Sequence, residues 1–393
     1  MDIDGLFRKI DELETEFLVF FRDIVTRETY ATDKEAMDEQ VLFVKDFCEK
    51  LGFCVEIKPF PIAGNGLLVT AKGTGKLPPV AFTGHMDTVF PKGSWQGPLW
   101  REEGNLVFGP GVVDMKGGLV VGLLVMKALK DCGFLDRDIR FIFIPDEERR
   151  EGLSGEPGKD FIRDNSRGCA AAFTLEGGRL GYVTVARKGS IRYHVTVKGK
   201  AAHAGAAYAK GRSAIKEAAH KILDIESQSD PEQITYNCGM IKGGTSPNTV
   251  PEFCEFMLYN RYWTADQRLQ IKAHVEGIIG KSYIPDTTSE FEVIGERPPM
   301  ELSDANMALF NLYNETSVKY GFGESVACKV AGGSDATYTA QVGVPSICSV
   351  GISGGNAHQL SEWADISSIK VQAKKIAAAI AEMPAQFGVS FMG

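Results

Sequence analysis

The stretch Val80-Ala81-Phe82-Thr83-Gly84-His85-Met86-Asp87-Thr88-Val89 decides how this chain folds. Its first four residues are apolar or β-branched and read as a buried strand, and two ionisable side chains follow one residue apart. In extended chain, residues two apart point the same way, so His85 and Asp87 face one side together. A single histidine after an apolar strand is more often a satisfied core residue. Here the aspartate two positions on favours a ligand, one group binding a cation while the other orients the imidazole.

Four further segments carry the same signature: 111–118 with Asp114, 146–148 with Glu147 and Glu148, 175–178 with Glu176, and 357–359 with His358. Each lies at or just past an apolar, strand-like run. Burying that many ionisable groups unpaired is costly, which predicts a shared charge partner. Two imidazoles with several carboxylates are the nitrogen and oxygen donors that borderline divalent cations such as Zn²⁺ accept. The set reads as a two-metal hydrolase. Asp114, before Gly117-Gly118, could instead cap a helix; its two oxygens make a bridging ligand the preferred reading. Glu147 and Glu148 could form a solvated acidic turn that continues into Arg149-Arg150-Glu151. If one of them binds metal, the other is placed to accept a proton from an activated water. The glycine-rich stretches lack the spacings of dinucleotide or phosphate loops.

Outward from this core, helical periodicity covers 3–27, 34–51 and 117–131, and strands are expected at 54–60, 67–71, 80–83, 140–144 and 170–175. Helices alternating with continuous apolar strands predict an α/β sheet covered on both faces. Ligands collect at the carboxyl ends of strands in such sheets. Past Arg187 the strands alternate apolar with polar, and the order becomes βαββαβ over 190–294, the ferredoxin-like pattern. α/β character returns after Arg297-Pro298-Pro299, with helices at 304–320 and 367–383 and a strand at 346–350. The expected arrangement is a catalytic domain of residues 1–186 and 298–393, interrupted by an inserted domain of residues 187–297.

With 393 residues, two domains are the prior expectation. A formal net charge of −8 argues against a nucleic-acid partner, which needs a basic footprint. The acidic start passes into a helix without a signal-peptide pattern, and the longest apolar run, around 119–126, is too short to span a membrane. The eight cysteines are scattered without a CxxC pair, which suits reduced structural thiols and a cytoplasmic protein.

The ordered segments GHMDTVF (84–90), FGPGVVDMKGG (108–118), PDEE (145–148), LEGG (175–178), GKAAHAG (199–205), GGTSPNTVP (243–251), GGSDA (332–336) and AHQLSE (357–362) resemble the M20 family of zinc metallopeptidases. Within that family they resemble the carboxypeptidase G2 (glutamate carboxypeptidase) branch. The resemblance implies a zinc-peptidase domain with a mixed central sheet flanked by helices, plus an inserted ferredoxin-like dimerisation or lid domain. It implies two Zn²⁺ ions, with Co²⁺ or Mn²⁺ as substitutes, bridged by Asp114. One would be completed by His85 and Glu176, the other by Glu148 and His358. Glu147 would be the general base and Asp87 the partner of His85, with a cis peptide at Asp114-Met115. His203 would stabilise the oxyanion across a homodimer interface, and Asn248, Arg261, Arg297 and Gly333 would contact the substrate. The implied reaction is hydrolysis of an amide or peptide bond, carboxypeptidase- or dipeptidase-like, on a small peptide with a free carboxylate. The alternative is an N-acyl amino acid deacylase of the acetylornithine or succinyl-diaminopimelate type; the remote one is a non-catalytic binding protein. The sequence departs from the family after Glu148, where the turn through Gly155 is longer than usual.

Overall fold

A computed structural model describes residues 2–134, 136–150 and 153–388, and the chain divides into two compact units. The first comprises Met1–Val185, Leu302–Lys329 and Ser334–Gly393; the second comprises Ala186–Glu301 and Val330–Gly333.

The first unit is built on an eight-stranded mixed sheet. Its strands run in the order Cys54–Lys58, Gly66–Ala71, Arg137–Ile144, Leu77–His85, Ala171–Thr174, Ser346–Cys348, Tyr182–Arg187 and Val326–Val330. Leu77–His85 lies parallel to both of its neighbours, and Ser346–Cys348 continues the parallel run. Outside them Gly66–Ala71 pairs antiparallel on one flank, as does Tyr182–Arg187 on the other. The parallel strands are buried on both faces, as their continuous apolar sequences require. Along Arg137–Ile144, Ile139, Phe141 and Phe143 enter the larger core, while Ile142 and Ile144 enter a smaller one with Phe161 and Tyr338.

The helix Gly117–Asp131 is buried along almost its whole length. Its glycines make that placement available: a Cβ on Gly118 would sit 1.7 Å from the Leu175 carbonyl oxygen, and one on Gly122 would sit 2.5 Å from the Phe141 ring. The helix therefore lies directly against the sheet, and its N-terminal approach brings Asp114 beside the carboxyl ends of the central strands.

The strand expected at 80–83 runs longer, Leu77–His85, with a register shift between Leu77 and Val80 that accommodates Pro78-Pro79. Helix Gly155–Ser166 and strands Tyr182–Arg187 and Val326–Val330 were not anticipated. Among the described residues, no helix is long and apolar enough to cross a membrane.

In the second unit, four antiparallel strands stand in the order Thr235–Gly243, Phe253–Tyr262, Gly189–Lys198, Thr288–Arg297. With helices Ala214–Glu226 and Ala265–Ile279 they give the ferredoxin-like βαββαβ arrangement. Ile191, Tyr193, Val195 and Val197 alternate into a core with Ala218, Ile271 and Val275. The intervening Arg192, His194 and Thr196 are only partly covered.

Candidate metal centre and active site

His85 ends its strand with 1% of its surface exposed, and both ring nitrogens are engaged. Nδ1 lies 3.2 Å from Asp87 Oδ1. Nε2 lies 3.1 Å from Asp114 Oδ1 and 3.8 Å from Glu176 Oε2. The Asp87 carboxylate has a second task, because its oxygens accept the backbone N–H groups of Glu147 at 3.1 Å and of Glu148 at 3.0 Å. One buried carboxylate thus orients an imidazole and fixes the turn that carries two glutamates.

Asp114 does not cap a helix. Helix Gly117–Asp131 begins three residues later with no side-chain cap, and the Asp114-Met115 peptide is cis. The carboxylate lies between two imidazoles: Oδ1 faces His85, and Oδ2 lies 3.1 Å from His358 Nε2. The same His358 nitrogen is 2.9 Å from Glu148 Oε1. His358 holds a left-handed φ of 65°, a conformation that is rare for non-glycine residues and concentrates at functional sites.

Three groups of ligand atoms lie within 4.8 Å of one another: His85, Asp114 and Glu176; His85, Glu147 and Glu148; and Asp114, Glu148 and His358. The first and third share Asp114. Electrostatics follow the crowding. Burial would raise the Asp114 carboxyl, but hydrogen bonds to His358 and His85 hold it well below the ordinary carboxylate range. Contacts with Asp114 and Glu148 push His358 up to about 10. Burial pushes Glu148 up to about 7 against the pull of His358, with Glu147 and Asp114 adding to the rise. Five carboxylates, Asp87 among them, converge on two imidazoles, an excess of negative charge that divalent cations would offset.

Several supports were not foreseen. Glu362, 1% exposed, accepts the backbone N–H groups of Gly111 at 3.1 Å, Val113 at 2.9 Å and Asp114 at 3.1 Å. Ser334 Oγ donates to Glu176 Oε1 at 3.0 Å. Lys116, buried two residues after Asp114, donates to the Ile24 and Arg27 carbonyls at 2.9 and 2.8 Å. Both Glu362 and Ser334 belong to conspicuous segments, AHQLSE and GGSDA. A glutamate or serine in a loop does not announce what it will face.

The remaining candidates fall in the second unit, in two groups. His203 belongs to a two-stranded ribbon, Ala202–His203 against Thr249–Val250, and Asn248 stands in the turn just before Thr249, where its carbonyl accepts the Ala204 N–H at 2.8 Å. His203 is exposed, and its Nδ1 accepts the N–H groups of Gly205 and Ala206, each at 3.1 Å. Arg261 and Arg297 stand opposite Ser190 on the two sides of strand Gly189–Lys198 and share a face of the sheet. Gly333 adjoins Arg297 so closely that a Cβ there would be 3.1 Å from the guanidinium. Arg187 holds the Gly332 and Gly333 carbonyls at 3.2 and 3.1 Å.

A family model described as peptidase family M20/M25/M40 matches residues 81–382. Carboxypeptidase G2 of Pseudomonas sp. (strain RS-16) is 27% identical over 375 residues, covering 93% of this chain and 88% of that protein. The crystal structure of a tripeptidase from Staphylococcus aureus superposes with a TM-score of 0.76 at 22% identity, over 94% of this chain and 98% of that one. A dinuclear metal-binding peptidase from Bacillus subtilis gives 0.69 at 18% identity, over 94% and 98%. These two structural likenesses show a common fold.

Proposed function

The chain belongs to peptidase family M20/M25/M40 and is a hydrolase of that family, and from that premise we propose a dinuclear zinc enzyme that cleaves an amide or peptide bond. Its substrates are small and carry a free carboxylate, in the manner of a carboxypeptidase or dipeptidase. The observation that carries this reading is Asp114, whose two oxygens each lie 3.1 Å from a different imidazole. Each half of the site then offers one histidine and two carboxylates, a donor set that suits catalytic zinc. We assign His85 and Glu176 to one ion, Glu148 and His358 to the other, and Asp114 to both. Co²⁺ or Mn²⁺ would suit the same donors.

When bound, such ions polarise the scissile carbonyl and lower the pKa of an attacking water. Glu147 is the general base in this reading: it accepts the water's proton and returns it to the leaving nitrogen. Asp87 supports both tasks by orienting His85 and holding the Glu147 backbone. In His203, two N–H groups occupy Nδ1, so the ring proton belongs on Nε2. That tautomer is a ready donor for the oxyanion of a tetrahedral intermediate. We assign His203 to the site of a partner copy, in a homodimer formed through the inserted unit. Asn248, Arg261, Arg297 and Gly333 are assigned to the substrate's carboxylate end. Eight free thiols support a reducing, cytoplasmic setting.

Zinc analysis of the purified protein, with turnover measured on a panel of dipeptides and N-acyl amino acids, tests the reading. Two zinc equivalents and dipeptide cleavage are expected. Turnover of N-acyl amino acids alone would assign the deacylase alternative, and absence of both zinc and turnover would overturn the proposal.

A further inference from the structure

The longer turn after Glu148 ends its described part with a charged side chain that is wholly buried. Arg150 has a side-chain exposure of 0%, and its partner Asp335 has 3%. The guanidinium grips the Asp335 carboxylate with two nitrogens, at 2.6 Å to Oδ1 and 2.8 Å to Oδ2. The Tyr338 ring lies 5.4 Å from the guanidinium carbon. We propose that Arg150 is a positioning residue that ties the Glu147–Glu148 turn to Ser334-Asp335, and through Ser334 to Glu176, so that the ligands of both cation sites are held as one rigid set. The proposal rests on the dinuclear reading above.

Both ends of this brace are tightly built. On the near end, the Arg150 carbonyl accepts the N–H groups of Leu153 at 3.0 Å and Gly155 at 3.1 Å. Asp146, just before the two glutamates, accepts Ser154 N at 2.8 Å and Ser154 Oγ at 3.0 Å, and lies 3.6 Å from Arg150 Nε. Asp146, Arg150, Leu153, Ser154 and Gly155 are therefore tied together around the arginine. On the distal end, Asp335 precedes helix Ala336–Gln341 without capping it, because its carboxylate is turned to Arg150 instead. Its neighbour Ser334 donates to Glu176 at 3.0 Å.

Stability alone is a poor reason for such a pair. Desolvating two charges costs about as much as their attraction returns, and apolar pairs of similar volume often serve as well or better. What the bidentate fork supplies is direction, since it fixes the carboxylate in both distance and plane. Here it fixes Asp335, and with it the serine that orients Glu176, relative to the backbone of Glu148.

Two variants test this, Arg150→Lys, which keeps the charge but loses the fork, and the double variant Arg150→Met with Asp335→Leu, which removes both charges. Zinc affinity by competition with a chelator, the visible spectrum of the Co²⁺-loaded protein, Tm, kcat and KM would be measured against wild type. We expect zinc affinity weakened roughly 10–100-fold, an altered Co²⁺ spectrum, and kcat lowered with KM little changed, all read below a Tm that falls in the double variant as Asp146 loses its buried cation. Wild-type zinc affinity and Co²⁺ spectrum in a folded double variant would overturn the brace. Should the double variant not fold, the same result in Arg150→Lys would overturn it. A wild-type protein that binds fewer than two zinc ions would overturn the dinuclear reading and the brace together. Two ions in wild type with unchanged variants would overturn the brace alone.

Discussion

The cluster around Asp114 and the turn around His203 obey opposite rules of construction. Asp114 takes its backbone support from Glu362, 248 residues away, and Glu176 takes its hydrogen bond from Ser334, 158 residues away. His85 within that cluster is 1% exposed. His203 is exposed, and the groups that fix its ring lie two and three residues along the chain. The first arrangement exists only when the whole unit is folded, while the second is a local turn with its own internal bonds. A change in the first should therefore propagate to several ligands at once, and a change in the second should stay where it is made.

The harshest test of that contrast is Asp114→Asn. A neutral amide bridges two cations poorly, so metal binding should fall at both sites and activity should be lost with it. Two full metal equivalents in this variant would remove Asp114 from the bridging position. Glu147→Gln should separate chemistry from assembly within the same cluster. Its metal content should match wild type while kcat falls roughly 10²–10⁴-fold, because the amide cannot accept a proton. Loss of the metals, or a normal kcat, would refute the base assignment.

His203→Ala addresses the other side of the comparison. Its kcat should drop roughly 10²–10³-fold, the scale of a lost oxyanion donor. Metal content and Tm should stay at wild-type values, since among the described residues the hydrogen bonds of this ring are local. Mixing His203→Ala chains with Glu147→Gln chains should restore activity, because a mixed dimer would contain one intact site. Verified mixed dimers without activity, or a strictly monomeric active enzyme, would rule out the arrangement in trans.

The smallest effect concerns the open face of the inserted sheet. His194 lies 3.1 Å from Glu292 and 3.2 Å from Glu255, and the Glu292 hydrogen bond is foremost in raising its pKa above the ordinary 6.5. A raised folded-state pKa contributes stability that is fully present below 6.5 and is lost as pH climbs through the folded value. His194→Gln should thus lower Tm slightly at about pH 5.5 and leave it unchanged near pH 9, with a stability difference under about 1 kcal/mol because solvent screens the pair. An equal loss at both values would mean that packing, not charge, is responsible.

Much of this was legible in the sequence, for reasons that differ from residue to residue. His85, Glu148 and Glu176 each follow an apolar run whose burial could be read directly, so their placement at strand ends followed from the pattern. The alternation along 190–197 identified the inserted sheet in the same way, because one face is buried and the other is not. Arg150 was hidden by its neighbours: a run of mixed charge ordinarily stays in solvent, and it takes the distant Asp335 together with Asp146 to make its burial tolerable. Helix Gly155–Ser166 begins with Gly155, Pro157 and Gly158, which suppress the helical signal, and its Phe161 finds the Phe60 ring 6.3 Å away only once the sheet has formed. The strand Val326–Val330 is short and half-covered at the sheet edge, too brief for a period to emerge. Glu362 and Ser334 act through atoms that no local pattern encodes.

The order of the ligands along the chain has a consequence for how the protein is made. His85, Asp114, Glu148 and Glu176 all precede the inserted unit, and His358 follows it. During synthesis the leading segments emerge and begin to fold first. On the proposed assignment the site cannot be completed from those leading segments alone, because Ser334, which bonds Glu176, Glu362, which holds the Asp114 backbone, and His358 all follow the inserted unit. Both halves of the site would thus be assembled together, after the inserted sheet has been made and the trailing segments have rejoined the first unit.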